Sequence, residues 1–357
     1  MLLYVWEYLN GEFTRTALID NAKSVIWIKR FNNAGEFELY LPASEQMLTL
    51  FTGDELILTR DDSNVVMSVE NVHLQTDSES GDYLIISGRS AECYLGRRIV
   101  PKQTTFQTTA AETVIRSLIN QNVINPPTGQ SNRKIDLISL GTAKGYTDII
   151  NKQVTGKNLL ETVSSICKEQ NYGFEMIFDG SAFEFNLYKG VDRSYNQTTN
   201  DFVIFSPEFE NIGNTDYTKD KTTLYNAVYV GGEGEGRDRV IVGVGTTGGL
   251  TRREQWVDAR NESSNTDGGT LTPTEYAYML SQQGAEEIKK ATETTEFNAQ
   301  IINDNTSYVY GVDYGLGDIV QVKTEYGLMG TATITEITEV EDENGYKIYP
   351  TLSEWSV

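Results

Sequence analysis

Few residues of the sequence could carry acid–base or nucleophilic chemistry. His73 is the only histidine among 357 residues, so a catalytic histidine has no histidine partner and a metal site with several histidines is excluded. It lies between Val72 and Leu74 in an alternating pattern, which predicts a solvent-facing position on a strand. The two cysteines, Cys93 and Cys167, lie in apolar helical segments, and we expect buried free thiols. The sequence therefore predicts no catalytic residue of these types.

A glycine-rich segment and two acidic runs are the next candidates. Gly232-Glu-Gly-Glu-Gly236 has the composition of a phosphate-binding loop, but a strand follows it instead of a helix, and its glutamates repel anions. We interpret it as a hairpin tip. Asp61-Asp62 and Glu341-Asp-Glu343 lack the spaced carboxylates and the glycine of a calcium loop, which favours solvated turns. We therefore predict neither a cofactor nor a metal ligand.

Glycoside hydrolysis is the enzymatic alternative that the sequence leaves open. This reaction needs two carboxyl groups about 5–10 Å apart, and only geometry identifies such a pair among many aspartates and glutamates. Since no nucleophile–base pair, metal cluster or cofactor loop is found, we expect a protein without enzymatic activity.

The composition argues against two classes of partner. The chain has 51 acidic and 29 basic residues, a formal net charge of −22. Nucleic acids and anionic membranes are both bound through clustered lysine and arginine. A chain with this excess of acidic residues is therefore not expected to bind either. No segment reaches the roughly 20 apolar residues that cross a bilayer. The apolar segment Met1–Leu9 lacks a basic region and a cleavage site, which favours a strand over a signal peptide. We expect a soluble protein made in a cytoplasm, without membrane insertion.

The elements that would position these residues are mainly β. The sequence has 20 Tyr and 13 Phe with many Thr, Val and Ile, which fit a pleated, half-buried surface. In residues 1–100, Asn10-Gly11 predicts a two-residue hairpin, and short strands follow at regular spacing. Ser44 is expected to cap a short helix. This spacing predicts a first β-barrel or sandwich domain.

The middle of the chain, residues 101–205, is predicted to be an α+β domain. Thr109-Ala-Ala-Glu112 matches a capping box, and Asn158 opens a second helix that Asn171 ends. Residues 206–357 return to β-structure and form the second predicted barrel. In them Thr272-Pro-Thr-Glu275 begins a helix, which lies in an insertion of about residues 246–292.

An internal similarity relates the first and last regions. Gly53-Asp54 and Gly317-Asp318 each precede an apolar strand, and Glu36-Phe37 and Glu296-Phe297 each begin one. We predict that these glycine–aspartate turns are equivalent, with glycine permitting an unusual backbone and aspartate accepting backbone hydrogen bonds. The predicted fold is therefore mainly β (β + α/β). Two related β-barrel, tube-type domains flank the α+β domain.

Segments along nearly the whole chain resemble a family of siphophage and prophage tail proteins. They are Val25-Ile-Trp-Ile-Lys-Arg-Phe, Gly35-Glu-Phe-Glu-Leu, Ser87-Gly-Arg-Ser90, Leu95-Gly-Arg-Arg98, Phe205-Ser-Pro-Glu-Phe209, Tyr229-Val-Gly-Gly-Glu-Gly-Glu-Gly236, Arg252-Arg-Glu-Gln-Trp-Val-Asp-Ala-Arg260 and Tyr314-Gly-Leu-Gly-Asp-Ile-Val320. This family looks related to phage baseplate hub proteins and to the hub module of tail-associated proteins.

The resemblance implies a structural virion protein at the tip of the tail tube, made in the bacterial host cytoplasm. In such hubs, two barrels per chain form a trimeric ring with pseudo-sixfold symmetry. The implied partners are two further copies of the chain, a distal tail or tube protein, the tape measure and a tip or receptor-binding protein. DNA would pass through without specific binding, which suits the acidic composition. The alternatives are a tail-tip glycan hydrolase and a host-receptor or carbohydrate-binding module, and the module would need an exposed aromatic platform.

Overall fold

The structure is a computed structural model that describes residues 1–76, 81–266, 269–291, 294–302 and 308–356. Its first hundred residues are strands with short helices between them. The elements are β1 (Leu3–Leu9), β2 (Glu12–Ile19), β3 (Ser24–Arg30), β4 (Glu36–Pro42), α1 (Glu45–Leu50), β5 (Leu56–Arg60), β6 (Ser63–Gln75), β7 (Tyr83–Ser90) and α2 (Cys93–Gly96). Asn10 and Gly11 take positive φ angles of 55° and 96°, as the predicted hairpin requires. Ser44 caps α1, since its hydroxyl accepts from Met47 N at 3.1 Å.

The middle region combines two longer helices with short strands. The elements are β8 (Thr104–Ala110), α3 (Ala111–Ile119), β9 (Ile138–Leu140), β10 (Ile149–Val154), α4 (Leu159–Gln170), β11 (Gly173–Phe178) and β12 (Phe183–Tyr188). Asn158 caps α4 as predicted, accepting from Glu161 N at 3.2 Å, and Asn171 ends it with a left-handed backbone.

The capping box predicted at Thr109 is wrong. The N-cap of α3 is Ala110, which has no side-chain acceptor, because Thr109 still belongs to β8 and pairs with Ile150. The carboxylate of Glu112 accepts instead from the backbone N–H groups of residues 144 and 146, at 2.6 and 2.9 Å. Strand pairing of Thr109 and the hydrogen bonds of Glu112 to a distant loop therefore replace the local capping box.

The last region is again mostly strand. The elements are β13 (Ile204–Phe205), β14 (Ile212–Asp220), β15 (Ala227–Gly231), β16 (Ile241–Val244), β17 (Glu254–Asp258), β18 (Asn265–Thr266), β19 (Gly269–Thr270), α5 (Pro273–Lys290), β20 (Thr294–Ile301), β21 (Ile319–Lys323), β22 (Met329–Asp342) and β23 (Gly345–Ser356). The predicted capping box of α5 is confirmed, with Thr272 and Glu275 bonding each other's backbone. Residues 267, 268 and 292 of the predicted insertion lie outside the described residues.

A 14-stranded sheet joins the two ends of the chain. Its main path runs β13-β21-β22-β3-β4-β7-β6-β11-β12-β9, while β23 pairs with β22 and the series β2-β1-β5 pairs with β6. The contact between early and late strands is the antiparallel pair β22–β3, in which Val340 lies opposite Ile26. The fold is mainly β as predicted. Among the described residues this sheet does not close on itself, so the two barrels stay a proposal.

By internal contacts the chain divides into two compact units. Unit one comprises residues 1–215 and 298–357, and unit two comprises residues 216–297. Unit one has one core between strands of the N-terminal region, around Leu3, Trp27 and Leu39, and another in which α3 and α4 pack on β11 and β12. The predicted boundaries after residues 100 and 205 stay a prediction. No helix among the described residues has the length and apolar character needed to cross a membrane.

Candidate functional site

The predicted turn residues each precede the first strand of an antiparallel meander. Gly53-Asp54 lies before β5, which pairs with β6, and β6 pairs with β7. Gly317-Asp318 lies before β21, which pairs with β22, and β22 pairs with β23. That the two turns are equivalent stays a prediction.

The two turns differ in local chemistry. Gly317 has φ +90°, whereas near Gly53 the positive φ, 50°, belongs to Glu55. Asp318 is buried, and its carboxylate accepts from Val191 N at 2.6 Å and pairs with Arg193 Nε at 2.8 Å. Asp318 therefore links the segment after β12 to the start of β21 through charge-assisted hydrogen bonds.

A buried ion-pair network lies where β22 meets the N-terminal strands. Glu339 of β22 bonds Lys29 Nζ through Oε1 and Arg60 Nη1 through Oε2, both at 2.6 Å. Tyr346 of β23 donates to Glu339 Oε2 at 2.8 Å, and Asp62 pairs with Arg60 at 2.7 Å. The side chains of Arg60 and Glu339 are 1% and 3% exposed. Their charges are therefore compensated within the protein and not by water.

Local geometry explains the position of this network. Glu339 lies directly opposite Trp27 in the β22–β3 pair, and Lys29 lies two residues further along β3, on the same face. The guanidinium of Arg60 lies 5.4 Å from the ring centre of Trp27. Burial alone would raise the pKa of Glu339, but the cations of Lys29 and Arg60 outweigh it and hold that pKa below its usual range.

The network forms one wall of a cavity of about 610 Å³ in unit one. Two further carboxyl side chains, Glu92 and Glu175, also line this cavity. Glu92 is 4% exposed, and its Oε1 accepts from Met176 N at 2.6 Å, whereas its Oε2 has no hydrogen-bond partner among the described residues. Burial raises the pKa of both carboxyls, and the charge of Glu175 adds to the shift of Glu92. The cavity thus combines compensated charges with two carboxyls whose pKa burial raises.

The residues singled out from the sequence are not brought together. His73 is exposed on β6, and both cysteines are buried free thiols, as predicted. Burial raises the pKa of Cys93 to about 12, which disfavours the thiolate form at neutral pH. Asp62 is more than a solvated turn residue, because it pairs with Arg60. In the part of the chain that the structure describes, no three histidine, cysteine or acidic side chains group as metal ligands would.

The sequence matches the family described as Siphovirus ReqiPepy6 Gp37-like protein over residues 2–352. The chain belongs to this family. The resemblance of its sequence segments to siphophage and prophage tail proteins is therefore confirmed. No curated protein sequence matches the chain significantly.

Solved tail proteins share the fold of this chain. The tail protein from Neisseria meningitidis MC58 is 14% identical with a TM-score of 0.55, over 99% of this chain and 96% of its own. The 43 kDa tail protein of prophage MuSo2 from Shewanella oneidensis is 13% identical with a TM-score of 0.57, over 99% and 98%. Prophage tail protein gp18 from Listeria monocytogenes EGD-e is 11% identical with a TM-score of 0.51, over 99% and 94%. At these identities the likeness concerns the fold.

No strong sequence signal marks the charged cavity. Lys29 and Glu339 are 310 residues apart, and neither Arg60 nor Glu339 lies in a segment that carries the family resemblance. One weak signal is present in β11, where Glu175 stands between the apolar residues Phe174 and Met176. Alternation on a strand would assign Glu175 to the face opposite these two.

Proposed function

We propose that this protein is a structural subunit of the tail hub, forming a trimeric ring at the tip of the tail tube. The observation that carries the proposal is the family match over residues 2–352, together with a fold shared with whole tail proteins. A structural tail component in the virion follows from the family. The ring, the hub position and two tube-type barrels per chain are the proposed extension.

The sheet supports self-association. β23 spans Gly345–Ser356 and pairs with β22 at the margin of the 14-stranded sheet. A long marginal strand is a template for pairing with another chain, and ring closure covers such margins. Tyr346 and Tyr349 of this strand are 48% and 39% exposed, which provides apolar contact area beside the backbone groups.

The charge supports a channel that DNA crosses without binding. A trimer carries a formal charge of −66, which is three times −22. Repulsion between DNA and the wall of a pore acts over about one Debye length, roughly 8 Å at physiological salt. We infer that part of this charge faces the channel and that a tube protein, the tape measure and a tip protein are the neighbours.

The mass of the protein in solution tests the ring. Light scattering after gel filtration at micromolar concentration should give about three times the 39.9 kDa chain. Negative-stain images of that species should show a ring with threefold symmetry and a central hole. A copy number per assembled tail tip that is neither three nor a multiple of three would refute the proposal.

The carboxyls of the cavity keep glycan hydrolysis as a second candidate. Glu92 and Glu175 line one cavity, and burial raises the pKa of both carboxyls. A glycosidase needs one carboxylic acid with a raised pKa beside one ionised carboxylate, so the pair supplies the acid but not an evident carboxylate partner. Against it, the backbone N–H of Met176 already engages Glu92. Purified cell wall incubated with the protein should release no reducing sugar. Release that disappears in both Glu92→Gln and Glu175→Gln would establish the enzyme.

A further inference from the structure

Unit two contains a small sheet with two unlike faces. Its strands are ordered β16-β15-β17. The inner face buries Val228 and Val230 in a core with Tyr276 and Leu280 of α5. Alternation along the strands assigns the neighbouring side chains to the opposite face, which no element within unit two covers among its described residues.

The outer face has exposed aromatic and aliphatic side chains. Trp256, Tyr229 and Ile241 are 46%, 39% and 51% exposed. Tyr229 lies directly beside Trp256 in the parallel pair β15–β17. We call these three residues the aromatic face.

Glycine allows the tryptophan ring to lie on the backbone of the central strand. A Cβ atom at Gly231 would come within 2.4 Å of Trp256 Cζ2, a distance that no side chain could occupy. The next residue, Gly232, makes the same allowance toward the other side, where a Cβ would lie 2.4 Å from the Tyr276 hydroxyl. Gly231 therefore makes room for Trp256 on the outer face, and Gly232 makes room for Tyr276 on the inner face.

Charged side chains beside the ring are held in fixed positions. The Arg239 guanidinium lies 5.1 Å from the ring centre of Trp256, donates to Gly231 O at 2.8 Å and pairs with Asp258 at 2.6 Å. Arg260 pairs with the other Asp258 oxygen at 2.6 Å and is 65% exposed. The aromatic face is thus bordered by hydrogen-bond donors and acceptors whose charges balance.

The size of the aromatic face decides between classes of ligand. An aromatic side chain has roughly 150–250 Å² of surface, so three half-exposed side chains offer on the order of 300 Å². A stable protein interface needs about 800 Å² per partner. A single-stranded nucleic acid would stack on such rings, but it also needs an excess of positive charge. The chain carries −22 and pairs these arginines with Asp258.

We propose that the aromatic face of unit two is a glycan-binding site. A pyranose ring has an apolar face that stacks on Trp256, with Tyr229 beside it for a neighbouring sugar. The hydroxyl groups of the glycan would bond Asp258 and Arg260, which offer both an acceptor and a donor. This binding role is independent of the proposed ring, since it uses residues of unit two alone.

Titration calorimetry with defined oligosaccharides tests the site. The probes are cellohexaose, maltohexaose, chitohexaose and muramidase-released cell-wall fragments. We expect at least one to bind the full chain with sub-millimolar affinity. Trp256→Ala should weaken that affinity at least tenfold, whereas Trp256→Phe, which keeps an aromatic ring, should retain most of it.

The matched control is Tyr278→Ala. Tyr278 is 66% exposed but lies on α5, the helix that covers the opposite face of the sheet. This variant should bind the probe as the wild type does, and all variants should keep the wild-type thermal midpoint and mass. Absence of binding by the wild type at millimolar probe overturns the proposal, as does equal affinity in Trp256→Ala. A reduced oligomer mass in Trp256→Ala with unchanged glycan affinity also overturns it, because the face would then be a contact between copies.

Discussion

Removing the charge of Glu339 should destabilise unit one strongly. Glu339→Gln keeps the shape of the side chain but leaves Lys29, whose side chain is 14% exposed, without its carboxylate partner. Arg60 would keep only Asp62. Breaking a buried ion pair by removing one partner costs about 3–5 kcal/mol. Because Asp62 remains and Lys29 is partly hydrated, we expect the lower end, about 3 kcal/mol.

Urea unfolding followed by tryptophan fluorescence measures this cost, since Trp27 lies beside Arg60. The control is Glu336→Gln on the same strand. Glu336 pairs with Arg30 at 2.7 Å, but both side chains are 26% exposed, so its loss should cost about 1 kcal/mol or less. Equal midpoints for the two variants would refute the argument from burial.

The difference in stability between wild type and Glu339→Gln should depend on pH. The pKa of Glu339 is lower in the folded protein than in the unfolded chain, where glutamate titrates near 4.3. The stability that its charge provides is therefore present above that pH and is lost as the pH falls through the folded pKa. The difference between wild type and Glu339→Gln should shrink in acid, and an unchanged difference at pH 3 would contradict the assignment.

Two further predictions concern single residues. Burial raises the pKa of Glu92 above that of the unfolded chain. The folded protein is therefore more stable below the unfolded pKa of Glu92, and it loses this stability as the pH rises through the folded pKa. Glu92→Gln should therefore raise the urea midpoint at pH 8 more than at pH 4, and an equal effect at both would oppose this. Gly317→Ala should cost several kcal/mol, because Gly317 has φ +90° and an added Cβ would lie 2.2 Å from Phe31 Cε2. Gly11→Ala is its control, with φ +96° and no atom within 4 Å, and thermal melts that shift equally would show that the contact with Phe31 is unimportant.

The sequence predicts those elements whose signals are local. Asn10-Gly11, Asn158 and the capping box of Thr272 specify their turn and helix ends within four residues, and the structure has each of them. The prediction at Thr109 fails because Thr109 pairs with Ile150 of β10, 41 positions away. This pairing extends β8 into the segment that matched a capping box. A local hydrogen bond of about 1 kcal/mol does not outweigh a whole ladder.

The candidate site could not be predicted because long-range pairing creates it. Glu339 meets Lys29 only after β22 pairs with β3 in one register, and a shift by one residue would turn Glu339 to the other face. Nothing near either residue specifies that register. Such pairings depend on the whole hydrophobic pattern, so the chemistry they assemble stays hidden in a single sequence.

The use of the basic residues sharpens the interpretation of the net charge. Many of them bind carboxylates of the chain, among them Arg30, Arg60, Arg89 and Arg193. Arg98 is different, since its guanidinium donates to backbone carbonyls of residues 97 and 133. Cations engaged in this way have little capacity left for phosphate groups, and the chain has 22 more acidic than basic residues. Pairing of this kind leaves the net charge at −22, so DNA that approaches the protein meets a net negative field with few free cations to bind its phosphates.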